Sequence, residues 1–211
     1  MMARLPQPGR VKTRLAATVG NEVASEFYRL CAERLLRESD RLPQHVHRYL
    51  FYAGAPEEAV VQRWAHRILH YEAQQGRDLG QRLAHAFFTV FARGAHKAVV
   101  VGSDIPDLSA GAVREALRLL DRYQVVIGPD HGGGYYLLGM KMLYPELFRN
   151  VSWGTSAVYG QTLHTVVSLG LSAAILPTLV DVDTEADLRR WLSLQPAEER
   201  LQRQIAGLLG G

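Results

Sequence analysis

The feature that most constrains this chain is a short apolar run, residues 98–101, which ends abruptly at residues 102–104, Gly-Ser-Asp. An unbroken run rich in β-branched residues is typical of a strand buried on both faces of a sheet. Pro106 prevents simple continuation of that strand. Because ligands of open α/β sheets bind beyond the carboxyl ends of the strands, Asp104 could hold a divalent cation on a nucleotide phosphate. Alternatively, Asp104 or Ser109 could simply cap the next helix.

Strand-like and helix-like segments alternate along the chain. The pattern predicts strands over 47–53, 68–71, 123–127, 135–140 and 173–176, and helices over 22–38, 109–121 and 155–169, with others starting near Pro56, Gly80, Asp183 and Pro196. Such alternation is typical of βαβ units with a mostly parallel sheet covered on both faces. Because we find no repeat, linker or low-complexity stretch, residues 1–211 are predicted to form one domain.

Composition narrows the class of protein. The net charge of +3 is small, and the basic residues form no aromatic-interleaved stripe, so we expect no nucleic-acid partner. We find no run as long as a membrane span and no signal peptide, and the single cysteine suits a reducing compartment. We therefore expect a cytoplasmic protein without a membrane partner. The sequence leaves open whether it forms a homodimer.

Three loops could carry chemistry at one edge of the predicted sheet. The first has cations at alternate positions, Arg10, Lys12 and Arg14, which suit phosphate binding but could also form a solvated basic loop. The second contains Asp104, with Asp107 nearby, and paired carboxylates can bind Mg²⁺ or Mn²⁺.

The third loop is the glycine run 132–134, which follows Asp130 and His131. Three consecutive glycines are conformationally costly unless the backbone needs positive φ or a close approach. The alternative is a plain hairpin turn. After this loop, Trp153 could stack on a ring of a ligand, although a core position is the commoner role of tryptophan.

In this order, the segments resemble a known family, the bacterial transferases of the nucleotide-diphospho-sugar (GT-A-like) superfamily, often named radical-SAM/selenodomain-associated transferase 1 or arsenosugar-biosynthesis-type glycosyltransferase. The resemblance spans nearly the whole chain. The matching segments are 8–15, 75–76, 78–80, 82–83, 102–104, 106–108, 128–129, 133–137, Trp153 with Thr155, and 181–184. It implies a three-layer α/β/α fold that binds a nucleotide or nucleotide sugar together with Mg²⁺ or Mn²⁺.

The resemblance also implies roles for residues. Asp104 would be the metal ligand and, with Lys12, a catalytic residue; Asp107, Asp130 and Asp183 are open as its partners at the metal. We expect the nucleotide and its phosphates at Gly9, Arg10, Lys12, Arg14, Gly80 and Ser103, and the acceptor at Asp130, Gly133, Gly134, Tyr135 and Trp153.

The sequence departs from the family pattern at two places. The family has an aspartate where this chain has Gly132, which leaves Asp130 as a substitute two residues earlier. Only residues 1–5 precede the basic loop, so either the first strand is very short or the chain starts downstream of the usual position. A missing central strand would expose backbone groups and apolar neighbours.

These observations support a leading hypothesis and two alternatives. The first is a metal-dependent glycosyltransferase that uses a nucleotide-sugar donor and a small-molecule acceptor. The second is a nucleotidylyltransferase that joins a nucleoside triphosphate to a phosphorylated small molecule and releases pyrophosphate. The third is a non-catalytic nucleotide-binding module.

Overall fold

The computed structural model describes residues 1–54, 56–68, 70–194 and 200–209. The strands are β1 (Met2–Arg4), β2 (Tyr49–Ala53), β3 (His70–Ala73), β4 (Ala98–Val101), β5 (Val125–Pro129), β6 (Tyr135–Met140) and β7 (Ala173–Ile175). The helices are α1 (Thr13–Val19), α2 (Asn21–Ser39), α3 (Glu58–Trp64), α4 (Leu79–Ala92), α5 (Ala110–Leu119), α6 (Val158–Ser168), α7 (Glu185–Leu194) and α8 (Arg200–Leu209).

The strands form two sheets. In the first, β1, β2 and β3 lie side by side in parallel. The second has the order β4-β6-β5-β7, in which β6 runs antiparallel to both neighbours and β5 runs parallel to β7. Within each sheet the strands therefore share one direction, and only β6 is reversed. The mostly parallel α/β fold predicted from the alternating pattern is confirmed.

Side chains of β5 alternate between two cores, as expected of a strand covered on both faces. Val126 packs in a cluster with side chains of α2 and α5. Val125 and Ile127 pack on the opposite face with side chains of α4 and α6. The three-layer arrangement implied by the resemblance is therefore present in this sheet.

The first strand is very short, as expected from the few residues before the basic loop. β1 has three residues, and its ladder partner is β2. An apolar cavity of about 520 Å³ runs along β4 and is lined on the facing side by Met1, Tyr49 and Phe51. Because this gap flanks β4, the side chains of residues 98–100 are only half buried.

Element boundaries differ from the predictions by a few residues. The predicted strands at 68–71 and 123–127 are shifted to β3 and β5, whereas β6 coincides with its prediction. The basic loop is shorter than expected, because Arg14 already lies in the first turn of α1. The predicted start of the last helix near Pro196 falls outside the described residues. Among the helices described, none combines the length and apolar character that crossing a membrane requires.

Candidate active site

The loop between β1 and α1 carries three of the predicted phosphate-binding residues, Gly9, Arg10 and Lys12. Gly9 adopts a positive φ of 72°, and the Arg10 amide donates a hydrogen bond to the Gln7 carbonyl. Lys12 immediately precedes α1 and has a φ of 44°, which is unusual for a residue with a side chain. Backbone held in this region is strained and is often found at functional sites.

The side chain of Lys12 is the centre of a cluster of three aspartates. Its Nζ atom lies 2.9 Å from Oδ2 of Asp104. It also donates hydrogen bonds to Oδ1 of Asp181 at 3.0 Å and to Oδ1 of Asp183 at 2.8 Å. The Lys12 side chain is only 4% exposed. We refer to these four residues as the Lys12 cluster.

Three separate parts of the fold bring the cluster together. Asp104 lies just beyond the carboxyl end of β4, and Asp181 and Asp183 lie between β7 and α7. The start of α7 fixes the segment that carries Asp181 and Asp183, because the Asp187 carboxylate accepts hydrogen bonds from the Thr184 amide and hydroxyl. In return, the Thr184 hydroxyl accepts from the Asp187 amide, as in a capping box.

The cluster has more negative than positive charge. Burial alone would lower the pKa of Lys12, but the three carboxylates raise it well above its ordinary value. Burial raises the pKa of Asp181 to about 7, and the charges of Asp104 and Asp183 act in the same direction, against Lys12. The pKa of Asp183 is lowered, because Lys12 and Arg14 outweigh the effect of burial.

The chemistry of the cluster fits a hard divalent cation. Its three carboxylates offer the oxygen ligands that Mg²⁺ and Mn²⁺ prefer. One lysine does not balance their charge, and Arg14, whose side chain is 71% exposed, contacts only Asp183. The point where the carboxylates meet is nevertheless held by the Lys12 ammonium. Over the described ranges, no group of three or more His, Cys, Asp or Glu residues forms a preassembled metal site.

A cavity of about 390 Å³ lies beside the basic loop. It is bounded by the last residues of β1 and β2, Arg4 and Ala53, and by the loop residues Leu5, Gln7, Gly54 and Pro56. Two cations line it, Arg4 and Arg10. Within the part of the chain that the structure describes, neither guanidinium forms an ion pair. The cavity is therefore electropositive, whereas the Lys12 cluster, which begins two residues after Arg10, is electronegative.

Ser103 is buried directly before Asp104, and its hydroxyl lies 2.7 Å from the Tyr28 hydroxyl. Among the other predicted nucleotide-binding residues, Gly80 has a packing role in this structure. A Cβ atom on Gly80 would lie 2.5 Å from Nε1 of Trp153, so the indole rests against the start of α4. Trp153 also packs edge-on against Tyr135, with 6.4 Å between ring centroids. The roles predicted for these residues toward a ligand stay predictions.

The glycine run is held by contacts of its own. The Asp130 carboxylate accepts a hydrogen bond from the Gly134 amide at 2.9 Å. Gly133 has a φ of 85°, and a Cβ atom there would lie 2.2 Å from the Ser156 carbonyl oxygen. The Gly133 carbonyl accepts from the Tyr159 amide at the start of α6. The run therefore satisfies both conditions that the sequence posed, positive φ and close approach.

The structure distinguishes the carboxylates that the sequence left open as partners of Asp104. Asp183 joins it through Lys12, whereas Asp130 is engaged by the glycine run. Asp107 accepts hydrogen bonds from Nε1 of the buried Trp191 at 2.9 Å. Asp181, which is in the Lys12 cluster, was not predicted as a site residue. Its only signal was its place in the 181–184 segment of the family resemblance.

Carboxylates and cations lie at the carboxyl edge of a mostly parallel sheet, and the comparisons with known proteins give the family of the chain. The chain belongs to DUF2064, a family described as uncharacterized proteins conserved in bacteria, whose model matches residues 39–155. The predicted resemblance to bacterial nucleotide-diphospho-sugar transferases is confirmed by a provisionally named member of that class from Desulfovibrio desulfuricans G20. The two chains are 32% identical, with a TM-score of 0.89 over 99% of this chain and 94% of the other.

A curated relative carries a more specific name. The chain is 28% identical to a 2-phospho-L-lactate guanylyltransferase of Methanothermobacter thermautotrophicus (strain Delta H), over 84% of this chain and 76% of the relative. A cytidylyltransferase from Leptospira borgpetersenii serovar Hardjo-bovis shares the fold, with 13% identity and a TM-score of 0.52 over 98% and 90% of the two chains. The Desulfovibrio desulfuricans and Methanothermobacter thermautotrophicus relatives identify the protein as a transferase of the nucleotidyl- or glycosyltransferase type.

Proposed function

We propose that this protein is a nucleotidylyltransferase that transfers a nucleoside monophosphate from a nucleoside triphosphate to a phosphorylated small molecule. The observation that carries the proposal is the electropositive cavity of Arg4 and Arg10, together with the acidic Lys12 cluster that begins two residues after Arg10 in the same loop. A metal-bound triphosphate has complementary parts for both regions. The name of the guanylyltransferase relative supports nucleotidyl rather than glycosyl transfer.

In the proposed reaction, a phosphate oxygen of the acceptor attacks the α-phosphorus of the nucleoside triphosphate. The bond between that phosphorus and the oxygen bridging to the β-phosphate breaks, and pyrophosphate leaves with the electron pair. Negative charge grows on the leaving group. Groups that are fixed in advance near such a charge lower the barrier.

Arg4 and Arg10 provide this charge complement in the chain itself. Guanidinium groups bind phosphate through two parallel hydrogen bonds and keep their charge at any physiological pH. Both line the cavity at the carboxyl ends of the first strands, where ligands of this fold class bind. We assign them to the phosphates of the nucleotide, with Gly9 permitting the turn between them.

Asp104 and Asp181 would hold Mg²⁺ or Mn²⁺, with Asp183 kept in place by Lys12 and Arg14. The cation, when bound, would neutralise phosphate charge and act as a Lewis acid. Lys12 holds the three carboxylates together and so orients them toward the nucleotide. The roles of Asp130, Gly133, Gly134, Tyr135 and Trp153 on the acceptor side remain part of this proposal.

Transfer of a sugar from a nucleotide sugar is a second candidate. It is favoured by the name of the Desulfovibrio desulfuricans relative, to which this chain is 32% identical. In that reaction an acceptor oxygen would attack the anomeric carbon of the sugar, and a nucleoside diphosphate would leave. The two reactions use the same cations and carboxylates but release different products.

Product analysis tests the proposal. Purified protein is incubated with Mg²⁺ or Mn²⁺, each nucleoside triphosphate and a panel of phosphorylated acceptors that starts with 2-phospho-L-lactate, and pyrophosphate is measured. A parallel series supplies nucleotide sugars and measures nucleoside diphosphate. Acceptor-dependent pyrophosphate release supports the proposal, and nucleoside diphosphate release supports sugar transfer instead. Nucleotide binding without either product would contradict both.

Two variants connect the activity to the site. Arg10→Gln should raise the KM for the nucleotide about 10- to 100-fold, the effect expected when a charged hydrogen bond to phosphate is lost. Arg122→Gln, which removes an exposed guanidinium outside the cavity, is the matched control and should leave KM unchanged. Asp104→Asn should lower kcat about a hundredfold or more.

A further inference from the structure

Tyr28 of α2 connects the two strand ends that carry the proposed site. Its hydroxyl accepts a hydrogen bond from the Arg4 amide at 2.8 Å and lies 3.2 Å from the Arg4 carbonyl oxygen. The same hydroxyl lies 2.7 Å from Oγ of Ser103. Arg4 is the last residue of β1, and Ser103 directly precedes Asp104.

This contact matters because β1 and β4 belong to different sheets. Among the described residues, no backbone hydrogen bond joins β1 to β4, and the apolar cavity lies alongside β4. In the part of the chain that the structure describes, the polar connections between the first twelve residues and the 98–108 segment are the Tyr28 bridge and the Lys12–Asp104 ion pair. The buried Tyr28 hydroxyl therefore links the ends of β1 and β4, which no ladder hydrogen bond joins among the described residues.

The Asp104 loop is also fixed from its far side, by two other residues of α2. Arg34 donates hydrogen bonds to the carbonyls of Pro106 and Leu108, at 2.6 and 2.9 Å. Glu38 accepts from the Ala110 amide at the start of α5 at 3.1 Å. These contacts hold the loop to α2 but do not reach β1, so the position of Asp104 relative to β1 and the basic loop depends on Tyr28 and on the Lys12–Asp104 ion pair.

We infer that Tyr28 is a positioning residue whose hydroxyl, together with the Lys12–Asp104 ion pair, sets the spacing between the Arg10–Lys12 loop and Asp104. The inference rests on the proposed function. It assigns no contact with substrate to Tyr28, because the side chain is buried and all partners of its hydroxyl belong to the protein. Small displacements of positioned groups lower rates strongly, since the reacting groups must be aligned before reaction.

The test compares Tyr28→Phe with Tyr71→Phe at saturating nucleotide and metal. Tyr71 is the matched control, because its hydroxyl also donates to a backbone carbonyl, that of Ala65, far along the chain from the site. We expect Tyr28→Phe to lower kcat about tenfold or more, and Tyr71→Phe to keep the wild-type kcat. Ser103→Ala should resemble Tyr28→Phe, and the double variant should be no worse than the poorer single variant, since both remove one bridge.

A second readout does not depend on turnover. Mn²⁺ binding is measured by calorimetry, and Tyr28→Phe should weaken it about fivefold or more relative to Tyr71→Phe. If wild-type protein turns over and Tyr28→Phe matches Tyr71→Phe in kcat, melting temperature and Mn²⁺ affinity, the inference is wrong. If wild-type protein shows no turnover, the proposed function fails, and the Mn²⁺ comparison alone decides whether Tyr28 positions the carboxylate.

Discussion

Replacing Asp181 with asparagine should stabilise the protein above neutral pH. Asp181 is the carboxylate whose charge the Lys12 cluster tolerates least, because burial and the charges of Asp104 and Asp183 raise its pKa to about 7. The amide of Asp181→Asn is nearly isosteric and can still accept the hydrogen bond from Lys12. The variant therefore removes one negative charge with little change in packing.

The magnitude and its pH dependence follow from the pKa. A pKa of 3.8 in the unfolded chain and about 7 in the folded protein corresponds to about 4 kcal/mol, an upper limit for a side chain that is 28% exposed. Because the pKa of Asp181 is raised in the folded protein, its protonated form contributes fully to the free energy of unfolding of the wild type below pH about 4. This contribution is lost as the pH rises through about 7. We expect the free energy of unfolding of the variant to exceed that of the wild type by about 1–2 kcal/mol at pH 8. Each kcal/mol corresponds to a rise in melting temperature of about 2–4 °C.

Thermal and urea unfolding of both proteins at pH 4, 6 and 8 check this expectation. Asp121→Asn is the control, because that carboxylate pairs with Lys97 at the surface and its pKa is lowered. Mg²⁺ or Mn²⁺ should narrow the difference at pH 8 by stabilising the wild type more. A variant that is less stable than wild type at pH 8, or a difference that is constant from pH 4 to 8, would refute the reasoning.

Three further substitutions test other parts of the structure by urea unfolding. Lys12→Met should cost about 3–5 kcal/mol at pH 8 and less at pH 5, because it leaves carboxylates without their shared cation; an equal loss at both values would contradict this. Gly133→Ala should cost more than Gly154→Ala, since both have positive φ but only the first meets a backbone atom, and equal losses would refute the close approach. Ser109→Ala should cost about 1 kcal/mol, because the Ser109 side chain accepts from the Ala112 amide at the start of α5; an unchanged midpoint would refute this cap.

The sequence was most informative where local chemistry decides the structure. Ser109 caps α5 as one of the predicted alternatives, and β6 coincides with its predicted range, because capping and apolar runs act within a few residues. The sequence was less informative about where helices and loops begin and end. Lys12 and Arg14 were assigned to one loop, but a left-handed residue allows the chain to turn directly into α1 at Thr13.

The composition of the site could be predicted only in part. Asp104 and Lys12 were chosen because each lies in a loop after a strand, and the structure brings them within 2.9 Å. Asp181 could not be found this way, because it lies 169 residues from Lys12 and follows no regular strand. Asp107 and Asp130 were reasonable candidates by residue type, but Trp191 and Gly134 occupy their oxygens, and only tertiary contacts reveal that competition.

The arrangement of charge around the basic loop gives the proposed function its physical basis. Arg4 at the end of β1 and Arg10 in the following loop line a cavity and have no ion-pair partners among the described residues, while Lys12 is surrounded by carboxylates whose charge it does not balance. A free phosphate would be attracted by the arginines but repelled by the aspartates. A free cation would be attracted by the aspartates but repelled by the arginines. A metal–phosphate complex satisfies both regions together, because each of its parts faces the opposite charge. Nucleotide and metal should therefore bind cooperatively, each raising the affinity for the other by the same factor.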